Sequence, residues 1–482
     1  MTAPRADHFD RAQVRAHCAA LPGVLPSIEW ITDNRVERLS QDFYWFSPVL
    51  KPQLDGKVAD VVARPKTEAE ISAVVAACAR AGVPLTLRGS GTGNYGQCTP
   101  LFGGVLLDLS AYNQTLWIKN GAGRAQAGTR LIDVDRTAQQ HGWELRCYPS
   151  TFRSASIGGL YGGGFGGVGS INYGPLACPG NVLGIRAMTV EPEPRAIEMR
   201  APAALLLHHA YGCNGIVLEV EVGLAPAHPW AERIVSFESF DAAIEFGDAL
   251  ANAPGMVKKS VSVMAAPIPD ILMQASPYLA GAMPAGAHAV LALTAEFSDA
   301  GLMQMVARCG GKVTFHKTAA EVKKSNRTLA EYTWNHTTLH ALKVDKTLTY
   351  IQTSYQPGRQ VEQVRMMRQL IGDEMPMHVE FIRNRDGLMT CSGLQLVRYS
   401  SESRLNQIMQ LHRDNGVHIN NAHVYIMEDG KQGQVNPDMV AAKVKFDPAG
   451  LLNPGKMRGW GERERTMADA AAGRIALTPL PF

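Results

Sequence analysis

Residues 88–97 (RGSGTGNYGQ) form a glycine-dense segment directly after the apolar run 83–87. Glycine admits positive φ and carries no Cβ, so consecutive backbone N–H groups can converge on an anion. The segment therefore predicts a phosphate cradle. We assign to this cradle Arg88, Gly89, Ser90, Gly91, Thr92, Gly93, Asn94 and Gln97.

The same glycines fit the GxGxxG pattern of a Rossmann dinucleotide site, as do the glycines of residues 164–169. The Rossmann mechanism requires the loop to open a helix whose N-terminus faces the pyrophosphate. Here residues 97–104 are punctuated by proline and glycine and lead into another strand-like run. An NAD(P) Rossmann site is therefore disfavoured.

A second glycine-rich segment spans residues 154–169. A flexible linker is one interpretation, but linkers favour polar neighbours for their glycines. Here apolar residues interleave with the glycines, namely Ile157, Leu160, Phe165 and Val168. We therefore predict a packed glycine wall that lies against a flat ligand.

Residues 418–425 (HINNAHVY) hold the first candidate for proton transfer. Their alternation and the turn-forming residues 428–430 predict a strand. In a strand Asn421, His423 and Tyr425 share one face and His418 points away, which disfavours a chelating histidine pair. With an ordinary pKa near 6.5, His423 is a candidate base for a substrate hydroxyl; a hydrogen-bonded structural histidine is the alternative.

Two further groups carry titratable side chains at suggestive spacing. Residues 334–340 (WNHTTLH) place histidines at i and i+4, but Thr337 replaces the glutamate of HExxH, so the zinc-protease motif fails. His336 keeps a structural or a substrate-pocket interpretation. Arg383 and Arg385 could clamp a carboxylate with their planar guanidinium groups, or pair with surface acids.

Helix and strand signals alternate around the first glycine segment. Thr67 and Glu70 have the spacing of a capping box, and Gly82 suits the position just after the helix that follows. Further elements are predicted as strands over 83–88, 104–109 and 182–190 and a helix over 129–141. This order indicates an α+β domain.

The amino-acid composition limits the classes of protein to which the chain can belong. The chain has 482 residues, 46% hydrophobic and 19% charged, which predicts a globular protein of two or three domains. Its net charge is +3 and it has no dense basic block, so the charge pattern does not predict binding to nucleic acid or to a membrane surface. The first thirty residues lack a secretory apolar core, and no run of about twenty apolar residues predicts a membrane span. The eight cysteines lack metal-ligand spacing, so we expect a cytoplasmic protein with reduced thiols that binds a small molecule and no metal.

Four groups of motifs together carry a family resemblance. RGSGTGNYGQ, the pair SASIGGLYGGG and YGPLACPGNVLGIRAMTV, YGCNGIVLEVEVGLAP and KFDPAGLLNPGKM occur in this order. In this the chain resembles the FAD-linked oxidase family, also called the vanillyl-alcohol-oxidase or PCMH-type FAD family. The resemblance spans residues 56–228 and the C-terminal segment.

The resemblance implies an extended FAD whose pyrophosphate lies in the first loop, with the 156–159 loop beside it. It also implies that Ile216 contacts the adenine side through its backbone, and that the LNPGK segment returns to the flavin. The further cofactor contacts implied in this way are Ser150, Ser156, Ile157, Gly158, Gly159, Gly163, Ile216, Asn453 and Lys456.

Departures from the family pattern bear on how the flavin is attached and on whether a metal is bound. Members that attach the flavin covalently have histidine at the position of Thr92 and cysteine at that of Phe152, and Cys147 lies five residues too early to substitute. We therefore expect noncovalent FAD. The HxGDGNxH and EHG metal motifs of the glycolate and D-lactate dehydrogenase branch are absent, although the C-terminal motif resembles that branch.

The resemblance implies an α+β fold with a PCMH-type two-subdomain FAD-binding domain. A substrate (cap) domain with an antiparallel sheet would follow, and a C-terminal segment would return to the FAD domain. The expected boundaries are 1–55 for an N-terminal extension, 56–228, 229–440 and 441–482.

The expected activity is oxidation of an alcohol or 2-hydroxy acid CH–OH group by hydride transfer to flavin N5. The expected catalytic residues are His423, Tyr425 and Arg383, and Arg153 or Lys456 would supply positive charge near the reduced flavin. Oxygen, a quinone or another protein remain open as electron acceptor, and a homodimer is possible. The alternatives are an aryl-alcohol, phenol or sugar oxidase on the same scaffold, or a noncatalytic flavin-binding electron-transfer subunit.

Overall fold

The computed structural model describes residues 9–480, so residues 1–8 of the predicted N-terminal extension and the last two residues lie outside it. Within this range the α-helices are α1 (Arg11–Val24), α2 (Arg35–Leu39), α3 (Lys51–Leu54), α4 (Glu68–Ala81), α5 (Leu131–Gln139), α6 (Ile157–Gly163), α7 (Ser170–Tyr173), α8 (Phe240–Asn252), α9 (Ile268–Ala275), α10 (Asp299–Arg308), α11 (Ala319–Lys324), α12 (Asn335–Val344), α13 (Gln360–Ile371), α14 (Glu402–Asp414), α15 (Pro437–Phe446) and α16 (Arg463–Ala471).

The strands of the same range are β1 (Glu29–Ile31), β2 (Val61–Arg64), β3 (Leu85–Arg88), β4 (Val105–Asp108), β5 (Thr115–Lys119), β6 (Ala122–Gln126), β7 (Trp143–Leu145), β8 (Val182–Met188), β9 (Ala196–Arg200), β10 (Ile216–Pro226), β11 (Trp230–Phe237), β12 (Lys258–Met264), β13 (His288–Ala295), β14 (Lys312–Lys317), β15 (Leu348–Tyr350), β16 (Gln352–Ser354), β17 (His378–Arg383), β18 (Met389–Gly393), β19 (Leu396–Arg398) and β20 (His418–Asn420). The predicted mixture of helix and sheet is confirmed.

The capping box forms as predicted at the start of α4. Thr67 Oγ1 accepts the backbone N–H of Glu70 at 3.2 Å, and Glu70 Oε2 accepts that of Thr67 at 3.3 Å. Gly82 ends the helix with φ 64°, the left-handed conformation that favours glycine. The helix thus leads directly into β3 and the glycine loop.

The first sheet has the order β1-β2-β4-β3 within the described range. β4 runs parallel to both β2 and β3, whereas β1 is antiparallel to β2. Residues 89–104 connect β3 to β4 without a helix. The prediction that the glycine loop leads into a strand rather than a helix is therefore confirmed.

A second, antiparallel sheet has the order β5-β6-β10-β8-β9, and β7 pairs with the end of β10. The strand predicted over 182–190 corresponds to β8 and ends two residues earlier, and the helix predicted over 129–141 corresponds to the shorter α5. The second glycine segment contains α6 where we expected a loop, because Ser156 caps a helix that runs through the glycines. Of the four apolar residues on which the packing prediction rested, Ile157, Leu160 and Val168 are buried, whereas Phe165 is 49% exposed.

A third sheet, also antiparallel, has the order β14-β11-β13-β12-β17-β18-β16-β20, and β15 pairs separately with β19. The strand predicted over 418–425 is wrong beyond Asn420, where β20 ends. Asn421 Oδ1 accepts the backbone N–H of His423 at 2.9 Å, and this local turn replaces the ladder of a strand. The face that we predicted for Asn421, His423 and Tyr425 therefore does not form.

The C-terminal segment after α15 runs back to the first sheet. The backbone N–H of Leu85 donates to Leu451 O at 2.9 Å, and that of Asn453 donates to Leu85 O at 2.6 Å. These bonds bring residues 451–456 beside the glycine loop that follows β3. Among residues 9–480 no helix is both long and apolar enough to cross a membrane.

Candidate functional site

The carboxylate of Asp42 fixes the backbone of the 89–97 loop from behind. Asp42 Oδ2 accepts the N–H of Gln97 at 2.7 Å, and Oδ1 accepts those of Gly96 at 3.1 Å and Tyr44 at 2.9 Å. Asp42 is buried, and this burial raises the pKa of its carboxyl group. Sequence analysis missed Asp42, because no local pattern links it to a loop some 50 residues further along the chain.

Lys456 and Asn453 hold the same stretch of the loop from the C-terminal segment. Lys456 Nζ donates to the carbonyls of Gly96 at 2.5 Å, Gln97 at 3.0 Å and Thr99 at 2.6 Å. Asn453 Nδ2 donates to Gln97 O at 2.9 Å. Lys456 is fully buried, and burial lowers the pKa of its ammonium group to about 8. The structure therefore brings both predicted residues to the loop, where their side chains bind its carbonyl groups.

The guanidinium of Arg88 lies directly against the glycine loop, since a Cβ built on Gly91 would lie 2.1 Å from one of its nitrogens. It donates to Leu39 O at 2.6 Å and to Gln41 O at 2.8 Å, joining β3 to the N-terminal segment. The guanidinium therefore holds the loop to the N-terminal segment. The next five loop residues, Gly89, Ser90, Gly91, Thr92 and Gly93, are partly exposed, whereas Asn94 is buried.

The two glycine segments meet at close range. A Cβ built on Gly89 would lie 2.3 Å from Ser156 Oγ, so only glycine permits this approach. Ser156 Oγ also accepts the N–H of Gly159 at 3.2 Å and caps α6. Gln97 Nε2 donates to Gly163 O at 2.8 Å. The segments that were predicted separately therefore form one continuous backbone cradle.

The remaining predicted cofactor residues lie deeper. Ser150 and Ile157 are buried. A Cβ on Gly158 would lie 2.6 Å from the Cβ of Ala127, so this glycine allows α6 to pack on the second sheet. Ile216 is the first residue of β10 and is buried.

A buried polar network joins the loop to the third sheet and the neighbouring strand β15. Asn94 Nδ2 donates to Tyr350 OH at 2.6 Å, and Tyr95 OH donates to Gln352 Oε1 at 2.7 Å. Asn420 Nδ2 donates to the same Gln352 oxygen at 3.1 Å. Burial raises the pKa of the Tyr95 and Tyr350 phenols, so both remain neutral hydrogen-bonding groups. Sequence analysis missed Tyr350 and Gln352, which lie on short strands without a motif, and it assigned no role to Asn420 within the segment 418–425.

His423 is buried beside this network with both ring nitrogens engaged. Nε2 lies 2.7 Å from Tyr350 O and Nδ1 lies 2.8 Å from Ser47 Oγ. A carbonyl only accepts, so Nε2 carries the proton and Nδ1 accepts from the Ser47 hydroxyl. Burial lowers the pKa of His423 to about 4. The role of His423 as base stays a prediction, and this geometry favours the structural alternative.

The lowered pKa makes stability depend on pH in a defined window. Between pH 6.5 and about 4 the unfolded chain protonates this histidine while the folded protein keeps it neutral, so stability falls as the pH falls. We expect His423→Gln to reduce this slope by about 1.4 kcal/mol per pH unit, the equivalent of one proton. Denaturant unfolding at pH 4.5, 5.5 and 7 measures the slope, and an equal slope in both proteins would contradict the assignment.

Among the described residues, no hydrogen bond joins the other predicted catalytic residues, Tyr425 and Arg383, to His423. Tyr425 is half-buried and packs against the apolar group around Tyr44 and Leu50. Arg383 donates to Gly387 O at 2.7 Å, so its guanidinium serves its own turn between β17 and β18. His336 lies in α12, and burial lowers its pKa to about 4.

Comparison with known proteins gives one family and several relatives. Residues 59–193 match the FAD-binding domain family. The glycolate oxidase subunit GlcD of Escherichia coli K12 is 31% identical over 214 residues, which are 42% of this chain and 42% of the relative. GlcD of Bacillus subtilis 168 is 24% identical over 444 residues, 85% of this chain and 91% of the relative. A solved structure of alkyldihydroxyacetonephosphate synthase has a TM-score of 0.67 at 13% identity, covering 94% of this chain and 87% of that chain. The match to the Escherichia coli protein thus covers less than half of its length.

Proposed function

We propose that this chain oxidises a CH–OH group of an alcohol or 2-hydroxy acid by hydride transfer to flavin N5. The chain carries the FAD-binding domain of the FAD-linked oxidase family and has FAD as its cofactor. The observation that carries this proposal is the continuous cradle of two glycine segments with a buried hydroxyl and amide network beside it. Relatives named glycolate oxidase subunit and D-lactate dehydrogenase support the class of substrate.

The residues present fit the cofactor, since the cradle offers backbone N–H groups without intervening side chains. Residues 89–93 and 156–159 would hold the pyrophosphate, and Asp42 and Lys456 fix the end of the first loop at residues 96–99. Thr92 has no imidazole to form the histidyl bond, which supports noncovalent FAD. When bound, the isoalloxazine ring accepts the hydride.

This chain's own residues orient the substrate and exclude water. The phenols of Tyr95 and Tyr350 and the amides of Asn94 and Gln352 form a preorganised hydrogen-bonded network that supports the end of the loop from below. The imidazole of His423 binds the backbone carbonyl of Tyr350 and so positions the phenol of that residue. To act directly as a base, His423 would have to break its hydrogen bond to Ser47 or to Tyr350. Tyr425 and Arg383 remain predicted catalytic residues, and no contact among residues 9–480 supports that role.

The domain division is part of the proposal. An FAD-binding domain over 56–228 contains the second sheet and most of the first, and a substrate domain over 229–440 contains the third. The interval between the end of β10 at Pro226 and the start of β11 at Trp230 supports the boundary. The segment 441–482 would return to the FAD domain, as the bonds of Leu451 and Asn453 to β3 suggest.

A second candidate, an aryl-alcohol or phenol oxidase, is favoured by one observation. The rings of Tyr95 and Tyr211 lie 6.1 Å apart, and Tyr350 lies close enough to both for the three phenols to influence one another's pKa. This cluster did not emerge from the sequence, because its members lie on three distant segments. Oxygen, a quinone or a protein partner remain the proposed electron acceptors.

Anaerobic bleaching of the bound flavin tests the proposal. The FAD-loaded protein is mixed with a panel of 2-hydroxy acids, alkyl alcohols, aryl alcohols and sugars, and then exposed to oxygen. We expect an alcohol or 2-hydroxy acid to remove the flavin absorbance, and the rate of its return to separate an oxidase from a dehydrogenase. Bleaching by aryl alcohols alone would support the second candidate. A flavin that only dithionite reduces would overturn both and leave a noncatalytic subunit.

A further inference from the structure

The turn that leads into β10 contains two ring-bearing residues with left-handed backbone. His209 has φ 51° and Tyr211 has φ 52°. Residues other than glycine seldom adopt positive φ, and a bulky residue such as tyrosine does so only under constraint. Glycine adopts the same conformation without a steric cost. Strained backbone of this kind collects at ligand sites, so the two side chains call for a role that glycine could not fill.

Hydrogen bonds fix this turn to the end of α6, in the second glycine segment. The N–H of His209 donates to Tyr161 O at 3.0 Å, and that of Tyr211 donates to Gly162 O at 2.9 Å. The next carbonyl along α6 accepts from Gln97 Nε2 of the 89–97 loop at 2.8 Å. The turn and the 89–97 loop therefore bind successive carbonyls at one end of this helix.

The C-terminal segment joins the same two elements. Asn453 Nδ2 donates to Tyr211 O at 2.5 Å and to Gln97 O at 2.9 Å. The ring centres of Tyr211 and Tyr95 lie 6.1 Å apart. An α-helix rises about 1.5 Å per residue, so the end of α6 lies about 8 Å from Ser156 at its start. The turn thus stands at the edge of the cradle, within the length of an extended dinucleotide.

The two side chains differ in what they do for the fold. Tyr211 packs its ring against Tyr95 and is 7% exposed. The ring of His209 lies 6.0 Å from that of His208 and 5.3 Å from that of Tyr211, and the residue is partly exposed. In the part of the chain that the structure describes, neither ring nitrogen of His209 hydrogen-bonds another residue. Packing accounts for Tyr211 but leaves the imidazole nitrogens of His209 unused.

The surroundings of His209 suit a ligand rich in oxygen. Beside it, His208 Nε2 is buried without a partner among residues 9–480, although native proteins pair almost all such atoms. Burial and the positive charge of Lys431 lower the pKa of His209 to about 4, so its imidazole is neutral at pH 7 and keeps one N–H donor. A neutral donor near a cation matches the phosphate and hydroxyl oxygens of FAD.

We propose that the side chain of His209 binds FAD, and that the left-handed backbone of the turn holds its imidazole in place for this contact. The assignment rests on FAD as the cofactor and not on the proposed oxidation. It adds a side-chain group to a cradle built from backbone N–H groups. Glycine at this position would relax the backbone but would remove the group that binds the cofactor.

His209→Gly separates the fold from the cofactor contact. We expect the Kd for FAD to rise about tenfold, the effect of one lost hydrogen bond, while the thermal unfolding temperature of the apoprotein stays the same or rises. Titration of FAD fluorescence with apoprotein gives the Kd, and the rate at which FAD leaves the diluted holoprotein gives a second measure. Normal affinity and a normal release rate would overturn the proposal.

Two further variants test the hydrogen bond and the glycine substitution itself. Asparagine tolerates left-handed backbone and carries a polar amide, so we expect His209→Asn to keep the Kd within about threefold of the unsubstituted value. Asn120→Gly is the matched control, because Asn120 has φ 51° in the exposed turn between β5 and β6; we expect an unchanged Kd. Binding as weak in His209→Asn as in His209→Gly, or equal weakening in the control, would overturn the assignment. These titrations contain no substrate, so their outcome is independent of the proposed oxidation.

Discussion

Lys456→Met is expected to weaken FAD binding about 100-fold and to destabilise the protein by about 3 kcal/mol. The substitution leaves three buried carbonyls, those of Gly96, Gln97 and Thr99, without their common donor. Gln97 O keeps its bond from Asn453 Nδ2 and Gly96 O keeps that from the N–H of Thr99, so the loss is that of one fully unsatisfied buried carbonyl, about 1–3 kcal/mol, plus two weakened ones. Because these carbonyls belong to the loop that forms the cradle, the loop loses the shape that FAD requires.

Two measurements check this result. Titration of the apoprotein with FAD gives the affinity, and denaturant unfolding of the apoprotein gives the stability without the contribution of the cofactor. Lys346→Met is the control, because Lys346 is exposed and lies far from the loop in the sequence; we expect no change in either quantity. If Lys456→Met retained normal FAD affinity, the role of this residue in shaping the cradle would be refuted.

Lys259→Met is expected to lower the free energy of unfolding by about 3–5 kcal/mol, the cost of leaving a buried charge unpaired. Lys259 Nζ lies 2.8 Å from Glu144 Oε1, and both side chains are 5% exposed. The ammonium also lies 4.9 Å from the ring centre of Tyr148 and 5.6 Å from that of Trp230. The pair joins β12 of the third sheet to β7 of the second, so its loss weakens the contact between the proposed domains.

A double variant distinguishes an unpaired charge from lost packing. In Lys259→Met with Glu144→Leu neither charge of the pair remains buried, so we expect most of the stability to return, less the bond that Trp230 Nε1 donates to Glu144 Oε2 at 2.8 Å. Lys258→Met is the neighbouring control: its Nζ donates to Ala253 O at 2.6 Å and faces no carboxylate, so a smaller loss is expected. A double variant as unstable as the single one would show that packing, not charge, explains the effect.

Local sequence signals predicted the elements with local causes. The capping box of α4 and the left-handed Gly82 each depend on residues within a few positions, and both formed as expected. The strand predicted over 418–425 failed because a side chain, that of Asn421, competes with the ladder for a backbone N–H. Alternation alone does not reveal that competition.

The order of the glycine motifs was sufficient to identify the FAD-binding domain, because glycine is required wherever backbone must approach a ligand or another segment without a Cβ. The surroundings of that cradle were decided by tertiary structure alone. Along the sequence, Asp42 is 54 residues from its partner Gly96, and Lys456 is 360 residues from the same glycine. Tyr350 is 256 residues from its partner Asn94. No periodicity encodes such pairings, since they exist only once three sheets have packed together. The sequence by itself thus identified an FAD-binding domain, and the packing decided which side chains hold its first glycine loop.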